Sequence, residues 1–523
     1  MLACALTAVA DKGSLSLVPS VRECVEGNGS YRLVLDVGWK GSDWYDFDAV
    51  GRALCQARIV RRNDGALPAE GYSLNVTTSG VEISSSDAAG AFYAEQTLRQ
   101  LATIENSNVV SFACVTVRDW PQYRWRGVLL DEARHFLGKV AVKRVLETMA
   151  RHKMNVLHWH LTDDQGWRLD VPGHPALVKY GARRRQSVVF GSHARWLPPR
   201  YETQYEYDGV PYGPYYYDGD DIREILAYAK ARHVMVVPEI EVPGHMRAFL
   251  AAYPECSCVG PGLPREPRCG WSIDDDVLCV GNDDAVNRYL DVLDGVCKMF
   301  PDASYIHIGG DECRRGRWKA CESCQRRLRE IGEESEDALQ AWITTKVVRH
   351  LEGVGRRVVG WDEVLAGNVP TSTVGMTWRS EASGGAGTAF VSAATAVRRG
   401  HDMIMTPAEF CYLDMPQGLL NDPFPYYAPW TAPITLEKAY AFDPCAGIPE
   451  SDRFHVVGGQ ASIWGECVHN VCDLEWKLWP RGCALAEVLW LGADKPGFED
   501  FARRMTVHLN RMRTWNVIFA PLD

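Results

Sequence analysis

From Arg126 onward, short apolar segments alternate with helical stretches, and this alternation restricts the fold more than any other feature of the chain. The candidate strands are GVLLDEA (127–133), NVLHWHL (155–161), VMVVPEI (234–240), YIHIGG (305–310), RVVGWDE (357–363), VGMTWRS (374–380), DMIMTPA (402–408) and HVVGGQASIW (455–464). Helical spacing lies between most of them, at 139–152, 221–232, 284–299, 336–352 and 472–490. Eight buried strands separated by helices predict an α/β fold, a (β/α)8 TIM barrel, over residues 121–523. The Tyr- and Pro-rich segment 184–219 and the cysteine-bearing segment 254–281 are then loop insertions. The first 120 residues read differently. YRLVLDV (31–37), YSLNVTT (72–78) and GVEISSS (80–86) alternate as strands, and 88–104 has helical spacing through Phe92, Leu98 and Leu101. A small N-terminal α+β domain over 1–120 is expected, joined to the barrel through VRDWPQYRWRG (117–127).

A TIM barrel carries its active site at the C-terminal ends of its strands, so the polar residues there are the functional candidates. In strand order they are Asp131, Arg134 and His135, then His160, Asp163 and Asp164, then Glu241 and His245, then Asp311 and Glu312. The second half of the barrel adds Trp361, Asp362 and Glu363, Trp378 and Arg379, Tyr412 and Asp414, and finally Trp464 and Glu466. Tryptophan faces suit the C–H faces of sugars, and carboxylates accept hydrogen bonds from vicinal hydroxyls. A single tryptophan is usually core and a single strand-end acid usually solvated. Three tryptophans converging with five or more acids point to a glycoside pocket. The net charge of −11 argues against a nucleic-acid partner. No apolar run approaches the ~20 residues that a membrane span requires.

Several segments resemble the family 20 glycoside hydrolases, the β-N-acetylhexosaminidases. They are RGVLLDEARHF (126–136), HWHLTDDQGWR (158–168), VPGH (242–245), HIGGDE (307–312), VVGWDEV (358–364), TWR (377–379), YLD (412–414), SIWGE (462–466) and WPRGCALAEVLW (479–490). They follow the family's order and cover the barrel, and GAFYAEQTLRQL (90–101) looks like the domain that precedes it in that family. The resemblance implies retaining hydrolysis of terminal β-linked N-acetylglucosamine or N-acetylgalactosamine, with no cofactor and no metal. It also implies that the substrate's 2-acetamido oxygen serves as nucleophile, an exception to the usual two-carboxylate scheme. Glu312 is then the acid/base and Asp311 the partner of the acetamido N–H. Tyr412 would bond the acetamido oxygen, while Asp163 and His245 would form a buried relay to Glu312. Trp361, Trp378 and Trp464 would be aromatic walls, Arg126 would hold the 3- and 4-hydroxyls, and Asp414 and Glu466 would accept from the 4- and 6-hydroxyls. His307 faces inward and either supports Glu312 or acts directly.

Other readings compete. His158-Trp159-His160 resembles the HxH pair of metal-dependent barrel amidohydrolases, since alternation puts both rings on one face. The following DDQGW and the GGDE strand match the glycosidase pattern instead. Release of a disaccharide such as lacto-N-biose is the enzymatic alternative within the family. A sugar-binding protein that has lost catalysis would lack an acid or the tyrosine, yet Asp311, Glu312 and Tyr412 are all present. Cys313, Cys321 and Cys324 lie close together, but one CxxC is a weak metal signal and no fourth ligand is evident beside it, so paired or free thiols are expected. Cys256, Cys258, Cys269 and Cys279 admit disulfides or free thiols alike. The N-terminal MLACALTAVADKG resembles the tail of a secretory signal, which would make the protein periplasmic, surface-bound or secreted.

Overall fold

The apolar alternation closes on itself. The computed structural model describes residues 15–36, 49–188, 207–379, 390–418, 422–424 and 432–522. The leader-like residues 1–13 and positions 189–206 of the expected insertion lie outside this set. Six strands form the N-terminal sheet: β1 (Glu23–Val34), β2 (Ile59–Asn63), β3 (Tyr72–Thr77), β4 (Gly80–Ser85), β5 (Ala102–Asn106) and β6 (Val109–Asp119). Their order is β1-β6-β3-β4-β2, with β5 also paired to β6, and the helix Ala88–Gln100 packs on the sheet. That helix starts on Asp87, whose carboxylate accepts from the Gly90 N–H. It stops four residues short of the sequence expectation because Ala102–Asn106 pairs antiparallel with β6 instead.

The barrel begins at β7 (Trp125–Asp131) and β8 (Val156–His160), followed by a small hairpin of β9 (Thr162–Asp163) and β10 (Gly166–Trp167). It continues through β11 (Met235–Glu239), β12 (Tyr305–His307), β13 (Arg357–Trp361), β14 (Val374–Thr377), β15 (Met403–Met405) and β16 (Val456–Ile463), and β16 pairs with β7 to close the ring in parallel. All eight expected strands form, but several are shorter than their apolar runs. Beyond His307 the chain enters Gly309 and Gly310 at positive φ, and beyond Trp361 it turns into a short 3-10 helix, Asp362–Leu365. The residues past the ladder belong to the rim. The expected helix 472–490 is likewise two helices, Val471–Leu478 and Arg481–Leu491, separated at Pro480.

Side-chain alternation divides the strands between two cores. Trp125, Leu129, Val156, Val237, Val359, Met376 and Ile404 fill the barrel interior, while the outward positions join the large cluster under the helices. Each such aliphatic side chain contributes about 1.5–3 kcal/mol on burial. Toward the C-terminal ends the interior changes character. His158, His160, Glu239 and His307 replace the aliphatic residues, and all are buried.

Arg126 does not reach that end. It is the second residue of β7, and its guanidinium lies at the N-terminal end of the barrel under the first domain. There it donates to Glu70 (2.5 Å), the Tyr93 hydroxyl (3.1 Å), and the carbonyls of Tyr123 (2.8 Å) and Lys153 (2.8 Å), and it stacks over Trp490. Beside it Lys153 pairs with Asp119 at 2.9 Å, and Tyr72 donates to the same carboxylate. The assignment of Arg126 to a sugar is therefore corrected, because a strand of seven residues separates it from the rim. Arg126 ties the two domains together. Replacing it by Met leaves Glu70 and two carbonyls without their partner, and is expected to lower the unfolding free energy by about 3 kcal/mol in urea denaturation.

Candidate active site

Glu239 ends β11 inside the barrel, and three histidines converge on it. His158 Nε2 lies 3.0 Å from one of its oxygens, His307 Nδ1 lies 2.8 Å from the other, and His160 Nδ1 makes a short contact. The Trp361 indole donates to Glu239 at 2.9 Å. Burial alone would raise this carboxyl, but His307, His160 and His158 together pull it well below the ordinary carboxylate range. Burial and the neighbouring His307 depress His158 to about 4. For His160 burial also opposes the charge, yet Glu239 and Asp163 outweigh it and push the imidazole up to about 10. His307 therefore supports Glu239 and Trp361, against which its ring packs edge-on at 5.0 Å.

The network runs on to the adjacent acids. His160 Nε2 is 2.9 Å from Asp163, and Asp163 is 3.2 Å from His245 Nδ1. His245 Nε2 lies 3.6 Å from Glu312 and 3.8 Å from Asp311. Burial works against a charge on His245, but Asp163 and Asp311 hold its imidazole well above the ordinary histidine range. His245 and Glu312 both have positive φ, 51° and 49°, a conformation uncommon for residues other than glycine. The turn into Glu312 needs Gly309 as well. A Cβ there would sit 1.8 Å from the Glu241 carboxylate.

Asp311 and Glu312 have different surroundings. The Glu312 side chain is 35% exposed, whereas Asp311 is largely enclosed and its Oδ1 is buried without a protein partner. Burial, with the charges of Glu312 and Glu239 and against that of His245, pushes Asp311 up to about 7. Glu241 and Glu363, both buried, are held well above the carboxylate range by burial and by their acidic neighbours. Tyr412, buried, has its hydroxyl pushed far above 10 by burial and Asp311, so it stays a neutral donor.

The aromatic residues stand where the sequence placed them, though at different depths. Trp361 is fully buried, and its ring packs 5.7 Å from that of Trp464, which lies 6.0 Å from Tyr412. Trp378 donates its indole N–H to Glu363 at 3.2 Å. Asp414 accepts from the Trp464 N–H through one oxygen, while its Oδ2 is buried and unpartnered. Burial and Glu466 raise Asp414 to about 8. Lys477 opposes that rise, and on the far side of Glu466 stands Arg134. Its guanidinium pairs with Asp131 and Asp163 at 2.8 Å each, lies 3.9 Å from Glu466, and sits over the Trp464 ring. Arg134, His160 and Glu241 stood among the strand-end candidates but had no part in the glycosidase reading, and Glu239 was not among the candidates. Strand ends were the available signal for Arg134, since it follows β7 while Arg126 begins it.

The HxH pair is drawn into the Glu239 network. His160 is bonded through both ring nitrogens, to Glu239 and Asp163, while His158 Nδ1 accepts from the Gln460 amide at 3.0 Å and its Nε2 lies 3.0 Å from a Glu239 oxygen.

Comparison with known proteins bears on this geometry. Residues 123–493 match the model of the glycosyl hydrolase family 20 catalytic domain, and residues 42–120 match that of the family's domain 2. The chain is 38% identical over 454 residues to a beta-hexosaminidase of Porphyromonas gingivalis, covering 84% of this chain and 54% of that protein. It is 32% identical to a beta-hexosaminidase of Akkermansia muciniphila, covering 84% of this chain and 83% of the relative. The chain thus spans about half the length of the first of these relatives and most of the second. Among solved structures, a Vibrio harveyi exo beta-N-acetylglucosaminidase in complex with N-acetylglucosamine superposes with a TM-score of 0.81 at 27% identity, over 97% of this chain and 78% of that one. With both modules matched and the acidic rim assembled on a closed barrel, the chain belongs to glycoside hydrolase family 20.

Proposed function

We propose that this enzyme removes terminal non-reducing β-linked N-acetylglucosamine or N-acetylgalactosamine with retention, using the substrate's own acetamido group as nucleophile. The observation that carries the reading is the contrast between the two adjacent acids: a solvent-reached Glu312 beside a cationic imidazole, and an enclosed Asp311 with one oxygen open. Glu312 donates its proton to the leaving oxygen, and the acetamido carbonyl oxygen bonds to the anomeric carbon as the glycosidic bond breaks. The resulting oxazolinium is positive at the amide. Asp311 accepts the amide N–H and stabilises that charge, while Tyr412 donates to the acetamido oxygen and aims it. Glu312, now ionised, takes a proton from water as the water opens the ring. The His245 imidazolium, held by Asp163, stabilises Glu312 in this ionised form.

For the rest of the sugar we propose that Arg134 takes the role first given to Arg126. Its guanidinium stands among Asp131, Asp163 and Glu466 and keeps N–H groups for vicinal hydroxyls. Asp414 and Glu466 are then the hydroxyl acceptors, with Trp361, Trp378 and Trp464 enclosing the acetamido methyl and the ring. A panel of aryl N-acetylglucosaminides, N-acetylgalactosaminides and lacto-N-biosides separates monosaccharide from disaccharide release, and N-acetylglucosamine thiazoline, a mimic of the cyclised intermediate, should inhibit strongly.

Glu312→Gln is expected to lower kcat/KM by about a thousandfold on substrates with poor leaving groups. Near-normal turnover would remove Glu312 from its role. Because Asp311 is raised to about 7 in the free enzyme, its charged form is lost as pH falls through that region. The acid limb of the kcat/KM profile is expected there, above the ordinary carboxylate range, and Asp311→Asn is expected to abolish that limb while costing about a hundredfold at its plateau. Arg134→Lys should cost about tenfold or more in kcat/KM, since the ammonium cannot reproduce the fork, whereas Arg126→Met should stay within about twofold at a temperature where it is folded.

A further inference from the structure

Two cysteine segments that are unrelated in sequence meet beside the active site. Cys258 and Cys279 come from the loop after β11, and Cys321 and Cys324 come from the segment after β12 that begins with Glu312. The four sulfurs lie within 4.8 Å of one another, and three pairs, Cys258–Cys324, Cys279–Cys321 and Cys279–Cys324, are each 3.7 Å apart. Disulfide sulfurs are separated by about 2.05 Å, and Cys279 and Cys324 each have two neighbours at 3.7 Å. A tetrahedral zinc with Zn–S bonds of about 2.3 Å sets its sulfurs about 3.8 Å apart. The cluster has the dimensions of such a shell.

The backbone around it is built for the same purpose. Both loop cysteines begin a Cys-Val-Gly tripeptide, 258–260 and 279–281, and the other two form a Cys-x-x-Cys at the start of the helix Glu322–Glu330. A side chain at Gly281 is excluded, because its Cβ would stand 2.1 Å from the Ser323 carbonyl carbon. Cys279 and Cys324 are buried and Cys258 and Cys321 partly so, which shields the shell without closing it. Cys256, Cys269 and Cys313 belong to the same two segments but lie outside the cluster.

The geometry points to a structural zinc site formed by Cys258, Cys279, Cys321 and Cys324, with four protein ligands and no open position for chemistry. Binding deprotonates the four thiols and joins two loops of the barrel rim into one unit. The loop after β11 also carries the His245 segment, to which it is sewn by the Leu278 N–H donating to Pro243 O. Trp318 donates to Leu278 O at 2.9 Å from the other side. The ion thus fixes the strand-end segments that bring His245 and Glu312 together, independently of the reaction they perform.

The test is metal analysis of the full chain purified without chelator, combined with alkylation and peptide mapping of the native protein. About one zinc per chain is expected. All four cysteines should resist alkylation until the metal is removed with a chelator in denaturant, while Cys269 should react irrespective of metal. Cys258→Ser and Cys321→Ser should each lose the zinc, and Cys269→Ser should keep it. The measurements on the unaltered protein stand even if a ligand variant fails to fold. Absence of metal with these four thiols freely alkylated, or peptide maps that join them as disulfides, would overturn the site. So would one iron per chain with the visible absorption of a ferric tetrathiolate.

Discussion

The Glu239 carboxylate is the fixed point on which the upper half of the barrel is organised. An ionised carboxylate with no access to water costs several kcal/mol, and the cost is offset only when both oxygens are bonded and positive charge is close. Here His158, His160, His307 and Trp361 supply those partners, and each comes from a strand at or near β11 in the ring. Glu239 faces His160 on β8 and His307 on β12 in the parallel register. A shift of register by one residue would turn these side chains to the outer face and leave the charge unpaired. The same bonds that satisfy Glu239 therefore hold the strands in line and orient the His160 ring toward Asp163.

Beyond His160, charges alternate: Asp163, His245, then the adjacent acids. The site is crowded with carboxyls, and it solves the repulsion in two ways. Arg134 neutralises Asp131 and Asp163, and Arg379 pairs with Asp362. The remaining acids, Glu241, Asp414 and Glu466, are pushed toward their neutral forms by burial and mutual proximity. Asp311 is left between the two regimes, near His245 yet not within hydrogen-bonding distance of it. A group poised in this way responds strongly to a ligand that brings an amide N–H and then a positive charge. Such a group suits the proposed part of an electrostatic partner for a cyclising amide, in which its ionisation would be coupled to the chemistry.

The sequence displayed some of this and concealed the rest for identifiable reasons. Apolar runs are local, so all eight barrel strands were visible, although their C-terminal ends were overread: in YIHIGG only Tyr305–His307 belongs to the ladder. Motif resemblance pointed to Asp311, Glu312, Tyr412 and the tryptophans, which the fold gathers on one rim, but it offered two arginines in RGVLLDEARHF. The periodicity already distinguished them, since eight residues along a strand carry the chain from one end of the barrel to the other. Glu239 stood unremarked within VMVVPEI because a carboxylate in an apolar run carries no local sign of the three histidines waiting for it. The cysteines show the same limit. Each pair alone is a weak signal, and the set of four exists only once two loops of the barrel are brought together.

That convergence explains why the distance between His245 and Glu312 is not set by the strands alone. Both residues sit on positive-φ turns just past the ladder, where backbone hydrogen bonding no longer dictates position. Such conformations cost about 1–3 kcal/mol each and persist only when the surroundings over-determine them. For His245 the determinants are Asp163, Asp164 and the Pro243 carbonyl, which accepts from Leu278 in the cysteine-bearing loop. That loop is in turn anchored on Asp164, whose carboxylate accepts from the Asp274 N–H and whose carbonyl accepts from the Arg268 N–H. For Glu312 the determinants are Gly309, Gly310 and the Gln340 amide, which donates to Gly310 O. The two sets meet at Leu278, Trp318 and the cysteine cluster. A cross-link at that point converts two independently strained turns into one rigid frame, so the 3.6 Å separation between imidazole and carboxylate becomes a property of the frame and does not depend on either turn alone.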